Sequence, residues 1–139
     1  MKRILLICIL FFIAEVKAQE NASETPVILT KIAEGDQATF EGITLKFTKV
    51  LSDSRCPKDV NCIRAGEAII AVEIYEGSKK VSEKTIQFEG NWMIQTSEVL
   101  FENDQVQIIG KSLTPYPTSK TKIEGRDYYL VFTVIKKKE

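Results

Sequence analysis

The segment from Ser52 to Glu67, SDSRCPKDVNCIRAGE, gathers the residues of this chain best suited to chemistry: Cys56 and Cys62, the carboxylates Asp53, Asp59 and Glu67, and the cations Arg55, Lys58 and Arg64. Free thiolates here would offer nucleophilic catalysis or a sulfur metal site. Oxygen donors from Asp53, Asp59 and Asn61 would suit calcium in a constrained loop. Against that, Asp59-x-Asn61 lacks the glycine and distal glutamate of an EF-hand register, and the three cations crowd the same loop. Paired acids drawn from Asp53, Asp59, Glu67 and Glu73 would suit glycoside hydrolysis, which needs a deep cleft to set two carboxyl groups apart in pKa. The chain contains no histidine, which removes Ser-His-Asp and Cys-His catalysis and the usual zinc and copper ligand. No Walker loop, dinucleotide-binding glycine pattern or HExxH motif is present. The expectation is a protein with no catalytic residues, no metal and no cofactor.

Which cysteine chemistry survives depends on the compartment. The N-terminus MKRILLICILFFIAEVKAQE has Lys2 and Arg3, an apolar run from Ile4 to Ala14, and Val16-Lys17-Ala18 before a polar stretch. This is the pattern of a secretory signal peptide over residues 1–18, cut after Ala18. The run is too short for a bilayer core of about 30 Å, so no transmembrane anchor is expected. Bulky Ile7 before Cys8 argues against a lipid-attachment site, and Cys8 leaves with the leader. Removal of 18 residues leaves 121 of 139, enough for one core. The leader takes three of the 19 basic and one of the 19 acidic residues, so the mature chain carries 16 and 18, a net charge of −2. That balance offers no footprint for nucleic acid. Only Cys56 and Cys62 remain, in an oxidising compartment where an even pair closes. A disulfide over so short a ring removes unfolded-chain entropy worth roughly 2 kcal/mol, so it shapes a loop more than it holds a fold.

The loop must be positioned by β-structure. Residues 19–26 read as a flexible lead-in with a glycosylation triplet at Asn21-Ala22-Ser23, and residues 27–139 as a single domain. Val27–Lys31 and Gln37–Phe40 are short strands, and Ile43, Leu45 and Phe47 alternate with polar residues. After the loop, Ala68, Ile70, Val72 and Ile74 share a face; Glu76-Gly77-Ser78-Lys79 turns into Val81–Glu89. Val99–Phe101, Val106–Leu113 and Tyr128–Ile135 complete the set, with Pro115-Tyr116-Pro117 ending the second of these. The last strand is apolar on both sides, which predicts a central place in its sheet. No segment has sustained helical periodicity. The pattern predicts an all-β, antiparallel β-sandwich of immunoglobulin-like architecture, with a small β-barrel as the alternative. Tyr128 after Gly125 has the placing of a tyrosine corner, whose hydroxyl bonds upstream backbone.

Residues Asp53 to Gly66 resemble a signature of short exported bacterial proteins, some of them lipid-anchored: Asp-Ser-Arg-Cys-Pro, two residues, Val, one residue, Cys, two residues, Ala-Gly. The resemblance continues through Leu113-Thr114-Pro115-Tyr116-Pro117 and Asp127-Tyr128, over most of the mature domain. It implies fold and location, periplasmic or extracellular, rather than an activity.

Two roles remain open for the loop. As a tied cap, Pro57 fixes its own φ, Asp53 accepts backbone N–H groups in an Asx turn, and Gly66 takes positive φ. On the same reading Asp53 or Asp59 pairs with Arg55 or Arg64, and Val60 or Ile63 plugs the end of the sandwich. As a recognition loop, Asp53, Arg55, Lys58, Asp59 and Arg64 face a partner with little entropy left to lose. Trp92 either packs over a sheet edge or stacks on a sugar, and Tyr116 either braces the surface or extends an aromatic patch. The functional expectation is a non-enzymatic binding or envelope-associated module whose partner is a protein or glycan. The alternative is a secreted hydrolase inhibitor acting through loop 53–66, with Arg55 and Lys58 beside Cys56-Pro57 as its contact residues.

Overall fold

The computed structural model describes residues 28–91 and 97–137. These residues form the strands β1 (Leu29–Ala33), β2 (Gln37–Phe40), β3 (Ile43–Asp53), β4 (Glu67–Glu76), β5 (Lys79–Glu89), β6 (Glu98–Glu102), β7 (Val106–Thr114) and β8 (Tyr129–Lys136). A 3-10 turn at Gly125–Asp127 precedes β8. Among the described residues no helix is long and apolar enough to cross a membrane.

The strands make two four-stranded antiparallel sheets, in the orders β1-β8-β7-β6 and β2-β3-β4-β5, which form the expected β-sandwich. Its wiring is not the immunoglobulin one. The chain meanders from strand to neighbouring strand, without the Greek-key crossovers of that architecture. The same cyclic order would suit the small barrel, but β1–β2 and β5–β6 are not hydrogen-bonded neighbours, so the chain turns corners there and leaves two sheets.

Period-2 patterning explains most of this. Leu45, Phe47, Ile70, Val72, Ile74, Ile108, Leu130 and Phe132 all point between the sheets at 0% exposure or nearly so, and Phe40 meets Phe132 edge-on at 5.6 Å. β8 lies between β1 and β7, as its two apolar faces predict. β3 runs five residues beyond its clean alternation, to Asp53. Register shifts after Phe47 and after Val50 break the period there, so the extension does not read as strand in the sequence. This extension carries the chain to the end of the sandwich where the cysteine loop sits.

Candidate functional site

The β3–β4 ladder does not stop at the strand ends. Asp53 lies opposite Ala68; beyond it Ser54 N–H donates to Glu67 O (2.8 Å) and Cys56 N–H to Ala65 O (2.7 Å). On the other side Gly90 N–H, just past β5, donates to Gly66 O (2.8 Å). Three backbone segments therefore converge at Gly66, which has φ of +69° as anticipated. A Cβ at Gly90 would stand 2.0 Å from Ala65 O, so that close approach also requires glycine. Only residues 57–64 lie outside this ladder.

Arg55 is the buried centre of the site. Its Nε donates to Asp53 Oδ1 (2.8 Å) and Nη2 to Asp53 Oδ2 (2.7 Å), a bidentate pair with side chains 3% and 9% exposed. Nη1 donates to Leu113 O (2.7 Å) and Nη2 to Pro115 O (3.1 Å), across on the opposite sheet and the segment after it. The guanidinium carbon lies 4.8 Å from the Tyr116 ring centroid, and the Tyr116 hydroxyl donates to Gly90 O. Asp53 Oδ1 accepts Arg55 N–H (3.2 Å), the predicted Asx turn, while Oδ2 accepts the Tyr128 hydroxyl (3.0 Å). Tyr128 thus bonds a side chain rather than the upstream backbone of a tyrosine corner. The cluster bolts one sheet to the other at this end of the sandwich.

Burial alone would raise the Asp53 carboxyl; the hydrogen bonds and charge of Arg55, with the Tyr128 hydroxyl, overcome it and hold the group below its ordinary 3.8. Tyr128 is pushed up to about 12, first by burial and then by the charge and hydrogen bond of Asp53. A lowered carboxyl contributes stability above its unfolded value, lost as pH falls through the folded one. A raised phenol contributes below its unfolded value of 10, and that contribution is lost as pH rises towards about 12. Tyr128→Phe should therefore flatten the decline in stability between pH 10 and 12 relative to wild type, measured by urea titration at each pH. Parallel alkaline limbs in the two proteins would refute the assignment.

Cys56 and Cys62 form a disulfide with Cα atoms 5.9 Å apart. The ring is further pinned outside itself: Lys58 N–H donates to Pro117 O (3.1 Å), and Asp59 accepts Ser119 N–H (2.8 Å) and Ser119 Oγ–H (2.6 Å). These bonds hold the exposed Asp59 carboxyl below its usual value. Arg64 and Asn61 are exposed, Val60 is 45% exposed, and Ile63 is fully exposed at the tip. Beside the tip runs a shallow groove of about 210 Å³ lined by Pro57, Val60, Arg64, Gly90 and Asn91.

The candidate residues therefore divide. Asp53 and Arg55 turn inward to protein partners, and Asp59 stays at the surface on Ser119, so a hydrolase inhibitor that inserts Arg55 into a protease pocket has no free guanidinium to insert. The ring of Tyr116 is committed to Arg55 rather than to an exterior patch. Val60 and Ile63 do not plug the sandwich; they project from it. Lys58 and Arg64 remain on the surface. Asp53 and Asp59, occupied by different partners, do not converge on a cation position. Glu67 accepts from Gln87 and Glu73 lies on the outer face of β4, so these acids form no pair with Asp53. Trp92 lies outside the described residues. Ser119 and the carbonyls of Leu113 and Pro115 were not legible as partners, because each comes from a segment roughly sixty residues away and carries no distinctive side-chain pattern.

Comparison with family models, with curated proteins and with solved structures finds no match for this chain.

Because Arg55 and Asp59 clamp the loop independently of the sulfurs, Cys56→Ser/Cys62→Ser should lose only about 2 kcal/mol or less. Its main effect should be local: faster tryptic cleavage after Lys58 and Arg64 at temperatures where the sandwich stays folded. Unchanged cleavage rates would show that the disulfide does not order the tip.

Proposed function

We propose that this protein is an exported, non-catalytic binding module whose recognition surface is the disulfide-held tip Val60–Arg64 with the groove beside it. The observation that carries this reading is the contrast within one loop: its flanks are locked by Arg55 and Asp59, while Ile63 stands fully exposed. A tip fixed before contact loses little conformational entropy on binding, and an apolar side chain beside Arg64 offers one anchor and one charge. Export follows from the leader pattern, and the Cys56–Cys62 disulfide suits an oxidising compartment. The absence of histidine supports a binding role over a catalytic one. The partner class is a protein or glycan of the cell envelope or exterior.

Immobilised protein is exposed to envelope extract and to a glycan array, and compared with Ile63→Asp/Arg64→Glu. A partner retained by wild type and by Thr85→Glu, which alters β5 away from the loop, but lost by the tip variant is the expected result. Equal recovery by the tip variant would remove the tip as the recognition surface.

A further inference from the structure

Cys56 and Cys62 both line the groove beside the tip, and Arg64 lines it with them. Cys62 is exposed and Cys56 half-buried, so a reagent in the groove meets the bond from the Cys62 side. Lys58 and Arg64 are exposed and make no ion pair among the described residues, while Asp59, the carboxylate of the ring, is engaged by Ser119. A cation beside a sulfur favours its thiolate, and a thiol of lowered pKa leaves a disulfide faster. The bond is also the tie that holds the tip. Among the described residues, none of residues 61–64 makes a hydrogen bond or an ion pair. The flanks are held without the sulfurs: Cys56 N–H donates to Ala65 O, Lys58 N–H to Pro117 O, and Ser119 to Asp59. Opening the disulfide therefore frees residues 61–64 and leaves the sandwich and the loop flanks in place.

We infer that Cys56–Cys62 is a reversible thiol-exchange site that sets whether the tip is held or loose, and that its reactant is a dithiol entering by the groove. One thiolate of the dithiol attacks Cys62 Sγ; the S–S bond breaks, and Cys56 leaves as a thiolate that takes a proton from water. The second thiol of the reagent then attacks the mixed disulfide and releases Cys62. In total two electrons and two protons pass to the protein, and the dithiol becomes a disulfide. Cys56 stays in the ladder opposite Ala65, three residues beyond Cys62, so glutathione disulfide recloses the ring by the reverse steps. Where the tip is the recognition surface proposed above, reduction weakens binding, because a loose tip must be ordered on contact. The exchange itself does not depend on that reading.

Oxidised protein is treated without denaturant with dithiothreitol and, separately, with reduced thioredoxin, and its thiols are counted by alkylation and mass spectrometry. Reduction should proceed at a rate proportional to dithiol concentration while the far-ultraviolet circular dichroism stays constant. The faster arm at equal dithiol concentration distinguishes a protein dithiol from a small one as the reagent. Arg64→Gln should slow reduction about three- to tenfold, and an unchanged rate would remove Arg64 from the exchange. A rate independent of dithiol concentration, or no reduction short of unfolding, overturns the inference. By 15N relaxation, the order parameters of the amides of residues 61–64 should fall from about 0.85 to below about 0.6 on reduction, recover with glutathione disulfide, and stay constant in β4 throughout. Tip values unmoved by reduction, or a fall that spreads through β4, overturns the switch whether or not the tip binds a partner.

Discussion

Arg55→Met is expected to lower the unfolding free energy by about 3–5 kcal/mol and the melting temperature by more than about 10 °C. The guanidinium satisfies both Asp53 oxygens and two main-chain carbonyls, Leu113 O and Pro115 O, at a position where its side chain is 3% exposed. The methionine conserves much of the volume and leaves the Asp53 carboxylate in place with only the Tyr128 hydroxyl and the Arg55 amide as donors. An unpaired buried charge costs far more than the pair contributes, because water can no longer solvate it. The pH dependence should change with it. Wild type loses the Asp53 contribution only below the ordinary carboxyl value of 3.8; without Arg55 the carboxyl rises on burial, and acid should stabilise the variant relative to neutral pH. Replacing both partners, as in Asp53→Leu/Arg55→Met, should recover much of the loss. Urea titrations at pH 4 and pH 7 decide the matter, and a change below about 1 kcal/mol in Arg55→Met would mean that the bolt contributes little.

Gly66→Ala should cost about 2–4 kcal/mol, whereas Gly77→Ala should cost about 1 kcal/mol. Both glycines have positive φ, +69° and +59°, so the conformational strain is common to them. The difference is space. A Cβ at Gly66 would lie 1.9 Å from Ser54 O and 2.6 Å from Ser54 C, backbone atoms that cannot rotate away, whereas nothing lies within 4 Å at Gly77. Relief at Gly66 requires β3 and β4 to part where the ladder enters the loop, which breaks the Cys56–Ala65 and Gly90–Gly66 hydrogen bonds. Hydrogen exchange should consequently quicken at the Cys56 and Gly90 amides in Gly66→Ala and stay unchanged in Gly77→Ala. Equal costs at the two sites would mean that the close approach does not constrain the ladder.

The strands were legible because each buries one face and follows the period of two that burial imposes, and β8 announced its central place by being apolar on both faces. The β3 extension to Asp53 was not, because its bulges shift the alternation. In the loop, local chemistry was readable: the Cys56–Cys62 bond, the Asx turn at Asp53 and the positive φ at Gly66 depend on residues close in sequence. The meander wiring was not readable, since immunoglobulin-like and meander sandwiches present the same alternating strands and differ only in which edges meet.

The sequence by itself determined an all-β chain with one disulfide and no histidine chemistry, since periodicity, cysteine parity and composition need no partner. Only the tertiary structure decided that Arg55 faces inward and Ile63 outward. A side chain's direction follows from what it finds to satisfy it, and the acceptors that draw Arg55 in lie 58 and 60 residues further along, brought there by the packing of one sheet on the other.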